Sequence, residues 1–349
     1  MSFILKKIMK EAGRLTRSNR LQEVTRAMQE ALGRMVAPYA APQAPRAAND
    51  ERAASPADNE GTFTGASFTF AGSTHSYKLY LSPQVASRPA PATGLPLVLM
   101  LHGCTQNPDD FATGTGMNAL ACEQGFAVLY PEQAVKANAQ RCWNWFKPED
   151  QQRDSGEPAW LSALVRHVMA LQREQYLIDP RQVFVAGLSA GGAMASVLGH
   201  THPDLFAAVG VHSGLVCGTA SNVVSALSVM KTGRGKAGAA SSVPTIVFHG
   251  DADAVVHLGN GEAVIQSVIS ATPTTPPVDE TGLSAQGQRY TRTRYPRAGK
   301  PDQAERWVLH GAGHAWSGGN AQGSYTDPKG PDASREMWRF FQAQTQAQA

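Results

Sequence analysis

The stretch VFVAGLSAGGAMASVL, Val183 to Leu198, changes period at a single residue. Val183-Phe184-Val185-Ala186 is a continuous apolar run, the pattern of a strand buried on both faces. From Ala190 the small residues read as a helix. Between them Gly187-Leu188-Ser189-Ala190-Gly191 fits G-x-S-x-G, a pattern with force only where a strand turns directly into a helix, which is the context here. So tight a turn leaves no room for side chains at Gly187 and Gly191. Ser189 is then held strained at a helix N-terminus, where the positive end of the dipole favours an alkoxide or an oxyanion. The same segment alone also reads as a serine N-cap after a glycine turn. The rest of the chain has to choose.

Working outward, Leu95–Gly103, Phe126–Pro131, Ala207–Ser213, Thr245–Gly250 and Glu305–Gly311 are further apolar strands. Helical patterns follow them through about Cys122, over Pro158–Tyr176, Ala190–His200 and Gly259–Ile269, and finally over Ser334–Gln344. Ahead of them, Thr62–Phe70 and His75–Pro83 alternate polar and apolar residues around Gly72-Ser73-Thr74, which predicts an antiparallel pair. This is an α/β pattern: a mostly parallel central sheet with helices on both faces. In such sheets ligands gather beyond the carboxyl ends of the strands, and His102-Gly103-Cys104, Ser189, His249-Gly250-Asp251 and His310 to His314 all fall there. Two long stretches, Glu132–Glu157 and Cys217–Ser242, read as functional or disordered loops. Ala271–Gly287, rich in Thr and Pro, reads as a surface excursion.

Composition narrows the function classes. A net charge of +3 without a long basic run argues against a nucleic-acid partner. Four cysteines (Cys104, Cys122, Cys142, Cys217) lack the paired spacing of a zinc site, and no apolar run approaches a membrane span. Three segments are expected: a basic amphipathic helix at 1–36, a Pro/Ala-rich linker at 37–61, and a catalytic domain at 62–349. In the first, Leu21, Val24, Met28 and Leu32 share one face among many Lys and Arg residues, as on an ordinary packed helix or on one that seeks a membrane or polymer-granule surface. Phe3-Ile4-Leu5 is cut off at Lys6, short of the apolar core of a secretory signal.

A serine hydroxyl needs a base, and the base an orienting acid. For this fold the chain order is serine, acid, histidine. FHGDADAVV offers Asp251 and Asp253; Asp253 is preferred because it lies further from the strand, whereas Asp251 abuts Gly250 and is placed to bond the turn. LHGAGHAWSGG offers His310 and His314. His314 is preferred because its glycine-flanked loop lets it approach Ser189, whereas His310 ends the strand and is open to burial. The backbone N–H of Ala190 supplies one oxyanion donor and that of Cys104 the other, with Thr105 as the alternative. Trp143, Trp145 and Trp316 offer apolar walls for a substrate chain, or core.

With these residues assembled, the chain resembles the short-chain polyhydroxyalkanoate depolymerase and feruloyl-esterase-like group of α/β-hydrolases. The resemblance rests on LHGCTQNPDDF, VLYPEQ, CWNWF, IDPRQVFVAGLSAGGAMA, HPDLFAAVGVHSGL, FHGDADAVV and GAGHAWSGG, spanning Leu95 to Gly319. It implies Ser189 as nucleophile, Asp253 as acid and His314 as base, a bridge between Cys104 and Cys142, and no metal or cofactor. It further implies hydrolysis of poly(3-hydroxybutyrate)-type polyester or its oligomers, and an extracellular setting. Feruloyl, acetyl-xylan or general short-chain carboxylesters are the alternative substrates. A peptidase or thioesterase on the same residues, and a non-catalytic granule-binding protein, are the remoter readings.

Overall fold

The structure is a computed structural model that describes residues 61–83, 94–171 and 177–346. The helix expected at 1–36 and nearly all of the linker expected at 37–61 lie outside the described residues.

β1 (Thr62–Phe70) and β2 (Ser73–Leu81) form the expected hairpin, and β2 pairs antiparallel with β4 (Ala127–Pro131). From β4 the sheet runs parallel through β3 (Leu95–Leu101), β5 (Ile178–Leu188), β6 (Ala208–His212), β7 (Thr245–Gly250) and β10 (Lys300–Leu309). Two antiparallel strands, β9 (Arg289–Arg297) and β8 (Val278–Leu283), extend the far edge, for ten strands in all.

The period-two alternation of the strands divides the core between the two faces. Leu97, Leu99, Leu101, Val183 and Val185 join one cluster, with side chains from α3 (Gly156–Leu171), α4 (Ala190–Thr201), α5 (Val223–Thr232) and α6 (Gly259–Ile269). Val98, Met100, Phe184 and Ala186 join the other, against α1 (Pro108–Thr115), α2 (Met117–Gln124) and α7 (Ala333–Gln346). Fully burying one such side chain contributes about 1.5–3 kcal/mol, so β3 and β5, buried on both sides, anchor the middle of the molecule.

Two expectations change. The excursion expected at Ala271–Gly287 contains the whole of β8, and the chain then returns as β9. Besides the β9–β10 ladder and the Tyr290–Trp307 ring contact, ion pairs tie these strands together: Arg292 reaches Glu305 on β10 at 2.9 Å and Glu280 on β8 at 3.4 Å, and its guanidinium lies 5.3 Å from the centre of the Trp307 ring. The loop expected at Cys217–Ser242 contains α5, entered through a capping box in which Asn222 and Ser225 satisfy each other's backbone N–H. The helix expected over Pro158–Tyr176 runs as α3 to Leu171, with 172–176 outside the described residues.

Candidate active site

Ser189 joins β5 to α4 with φ 57° and ψ −118°, a conformation rarely adopted by any residue but glycine. Neighbouring backbone enforces it. A Cβ at Gly187 would lie 2.7 Å from the Leu101 carbonyl oxygen, and one at Gly191 would lie 2.6 Å from that of His102, so only glycine fits either side of the serine. The Ser189 N–H donates to the His212 carbonyl at 2.9 Å, which locks the turn to β6. The cap side chain makes no hydrogen bond to its own helix, contrary to an N-cap role.

Asp253 follows β7 and His314 follows β10, parallel neighbours in the sheet. His314 Nδ1 is 2.7 Å from Asp253 Oδ2, where the ring N–H donates to the carboxylate. Asp253 Oδ1 accepts the N–H groups of Val255 and Val256, each at 2.8 Å. Burial opposes the carboxylate charge, but the hydrogen bond and charge of His314, aided by His249 and the Val256 N–H, outweigh it and bring the group down to about 2. The acid is thus ionised and fixed, and it holds His314 with Nε2 as the ring's other, bare nitrogen.

Asp251 and His310 form a second pair on the same two loops. His310 Nδ1 lies 2.9 Å from Asp251 Oδ2, its Nε2 lies 2.9 Å from the Thr291 hydroxyl on β9, and Asp251 Oδ1 accepts the Gly311 N–H at 2.6 Å. Asp251 therefore bonds the turn after β10, and His310 is half-exposed rather than buried. The remaining histidines at strand ends tie backbone together. His102 Nε2 accepts the Gln133 N–H, His249 Nε2 donates to the Val256 carbonyl, and His212 Nε2 accepts the Ser317 N–H. Burial holds His102 down at about 4 and His212 at about 3, so both stay neutral.

The loop after β3 is braced on both sides of Cys104. The Gly103 N–H donates to Gln106 Oε1 at 2.9 Å and the Thr105 N–H to the Gln140 carbonyl at 2.6 Å, so Thr105 is committed. Cys104 is joined by a disulfide to Cys142 on the 132–157 loop. That loop is pinned from beneath by buried Glu157, which accepts the Asn144 N–H at 2.7 Å as well as the side-chain amides of Asn144 and Gln133. Burial and the charge of Asp150 push the Glu157 carboxyl up to about 8.

Two adjoining cavities, of about 30 and about 50 Å³, meet at Ser189. The first is bordered by His314, Val255 and Tyr325, and the second by Ala190, Trp145, Phe146, Leu215 and the inner face of α5. Of the indoles proposed as substrate walls, only Trp145 borders either of these two cavities. Trp143 and Trp316 are corrected to core: both are fully buried, with Nε1 donating to the His102 carbonyl and to Ser334 Oγ respectively, and Trp316 stacks on His212. Residues that sequence reading passed over complete the walls. Val223, Ala226, Leu227 and Met230 come from α5, and their i, i+3, i+4, i+7 spacing was the signal for it. Tyr325, at φ 53° beside a strand of two residues, carried no comparable signal.

A strained serine, a histidine held by an ionised aspartate, and a six-strand parallel core define an α/β-hydrolase. Within that class the chain belongs to the family described as esterase PHB depolymerase, whose model matches residues 75–289. It is 38% identical over 145 residues to poly(3-hydroxyalkanoate) depolymerase C of Paucimonas lemoignei, an alignment covering 42% of this chain and 34% of that protein. It is also 38% identical over 141 residues to a poly(3-hydroxybutyrate) depolymerase of Ralstonia pickettii, covering 38% of this chain and 28% of that one. The chain thus spans about a third of the length of the curated relatives it matches. In fold it is similar to an acetyl xylan esterase from Aspergillus awamori, with a TM-score of 0.56 at 18% identity over 72% of this chain and 94% of that one.

Proposed function

We propose that this chain is a serine esterase that hydrolyses poly(3-hydroxybutyrate)-type polyester or its oligomers through an acyl-enzyme. The observation that carries the reading is the 2.7 Å hydrogen bond of a dry, ionised Asp253 to His314, which borders the same cavity as the strained Ser189. The substrate class is supported by membership of the family and by the two depolymerases, each 38% identical over the aligned part.

In this reading Ser189 Oγ attacks the ester carbonyl as His314 Nε2 takes its proton. The negative charge that develops on the carbonyl oxygen is met by the N–H of Ala190, at the first turn of α4, and that of Cys104. Collapse of the tetrahedral species breaks the bond to the alcohol oxygen, which receives the proton from His314. Water, deprotonated by the same imidazole, then releases the acid. Asp253 keeps its charge throughout, fixing the ring and stabilising the imidazolium.

Ser189→Ala is the direct test. Hydrolysis of p-nitrophenyl butyrate should fall by about 10⁶-fold in kcat, with an unchanged circular dichroism spectrum. Undiminished turnover by that variant overturns the proposal.

A further inference from the structure

The two cavities at Ser189 share Cys104, Gln140, Cys142 and Met230, and they differ in one chemically decisive way. His314 borders the smaller cavity and is absent from the larger, while Ala190 borders the larger and is absent from the smaller. An ester lying across the serine puts its acyl half on one side and its alcohol half on the other. When the bond to the leaving oxygen breaks, that oxygen must take its proton from His314, so it has to lie within hydrogen-bond reach of the imidazole. The acyl chain then points the opposite way.

We infer that the cavity beneath α5 is the acyl subsite, that the cavity at His314 receives the alcohol, and that α5 sets the acyl length. The assignment rests on Ser189, Asp253 and His314 acting as proposed above. No charged side chain borders the acyl cavity. Asn138 is spent within its own loop, its amide donating to Asn144 Oδ1 at 3.1 Å and its oxygen accepting the Gln140 N–H at 3.0 Å. Apart from Gln140, what remains is an apolar wall, chiefly Trp145, Phe146, Leu215, Leu227 and Met230, which suits an uncharged acyl chain. Its size is limited. At about 50 Å³ the cavity is small and α5 forms one of its walls, so short acyl chains such as butyryl and 3-hydroxybutyryl suit it better than octanoyl.

The wall is also fixed. The capping box closes one end of α5, and at the other end the Met230 carbonyl accepts the His257 N–H at 2.7 Å and the Val229 carbonyl accepts the Asn260 amide at 3.0 Å. These contacts lash the helix to the segment that follows Asp253, so an acyl chain that is too long meets a braced helix.

The test uses the full chain and two ester series, one of p-nitrophenyl esters from acetate to octanoate and one of butyrates with alcohols from ethyl to hexyl. The wild-type enzyme should prefer butyrate to octanoate by at least about 10-fold in kcat/KM, since each mismatched methylene can cost a factor of ten or more. Leu227 is half-exposed, so Leu227→Ala opens the cavity without emptying the core. It should reduce that preference about 10-fold and leave the alcohol profile unchanged. Leu227→Phe should move the acyl optimum towards acetate. Variants that alter the alcohol profile, or leave the acyl profile untouched, overturn the assignment while leaving the esterase reading intact. A wild-type enzyme inert towards every ester in both series overturns both.

Discussion

Asp253 with His314 and Asp251 with His310 are built from the same residue types on the same two loops, at nearly equal separations of 2.7 and 2.9 Å. Their surroundings divide them. In the first pair the side chains are 0% and 8% exposed, and in the second 35% and 38%. Water screens the second pair, and exposed ion pairs contribute only about 0–1 kcal/mol. Without water around it, Asp253 is oriented by two backbone N–H groups and the His314 imidazole, with His249 3.5 Å away. The far nitrogens differ as well: that of His310 meets a threonine hydroxyl on an ordinary strand, whereas His314 borders the cavity of a serine in a left-handed turn. Residue chemistry supplies two candidates; burial and the backbone of the neighbouring hydroxyl choose between them. The outer pair binds the two loops to each other, which helps to keep the inner pair in register.

The largest test of this contrast is a paired substitution. His314→Ala should lower kcat by about 10⁴–10⁶-fold, while His310→Ala should stay within about 10-fold of wild type; equal losses would erase the distinction. Next in size is the tether that holds the Cys104 loop in place. Cys104 and Cys142 are 38 residues apart, and closing a loop of that length contributes about 4 kcal/mol in the chain-entropy account. Urea unfolding of Cys142→Ser should show a loss approaching that size, together with a lower kcat; a variant as stable and as active as wild type would count against the tether.

A smaller effect appears in acid. The Asp253 carboxyl falls from 3.8 to about 2 on folding, so the folded protein binds its proton less readily than the unfolded chain. Its contribution is therefore complete above about pH 4 and is lost as the pH drops through 2. At 1.36 kcal/mol per pKa unit this amounts to about 2 kcal/mol. The stability gap between wild type and Asp253→Asn should narrow by that amount between pH 5 and pH 2, while the corresponding gap for half-exposed Asp251→Asn should change by less than about 1 kcal/mol. A constant gap for Asp253→Asn would show that His314 does not hold the charged form.

Much of this architecture is legible in the sequence because it follows from local rules. Continuous apolar runs become strands covered on both faces, and a parallel sheet gathers its strand ends whatever the loop lengths, so residues as distant as Cys104 and His314 come to border one cavity. The reading failed where another interaction replaced apolar periodicity. β9 (RYTRTRYPR) carries arginines that pair with Glu280, Glu305 and Asp302, and so gives little hydrophobic signal. The glycines and lysines around α5 drew attention from four apolar residues at helical spacing. An indole reads the same in a core as in a cavity wall, and only packing separates Trp145 from Trp143 and Trp316.

The left-handed Ser189 also bears on how preparations of the protein are judged. Its conformation costs about 1–3 kcal/mol and persists only while β3, β5 and α4 press on the glycines beside it. Slight loosening lets that residue relax long before helices or strands melt. On the proposed esterase reading, turnover of a chromogenic ester is therefore a more sensitive gauge of damage from storage, thawing or attachment to a support than any spectrum of secondary structure.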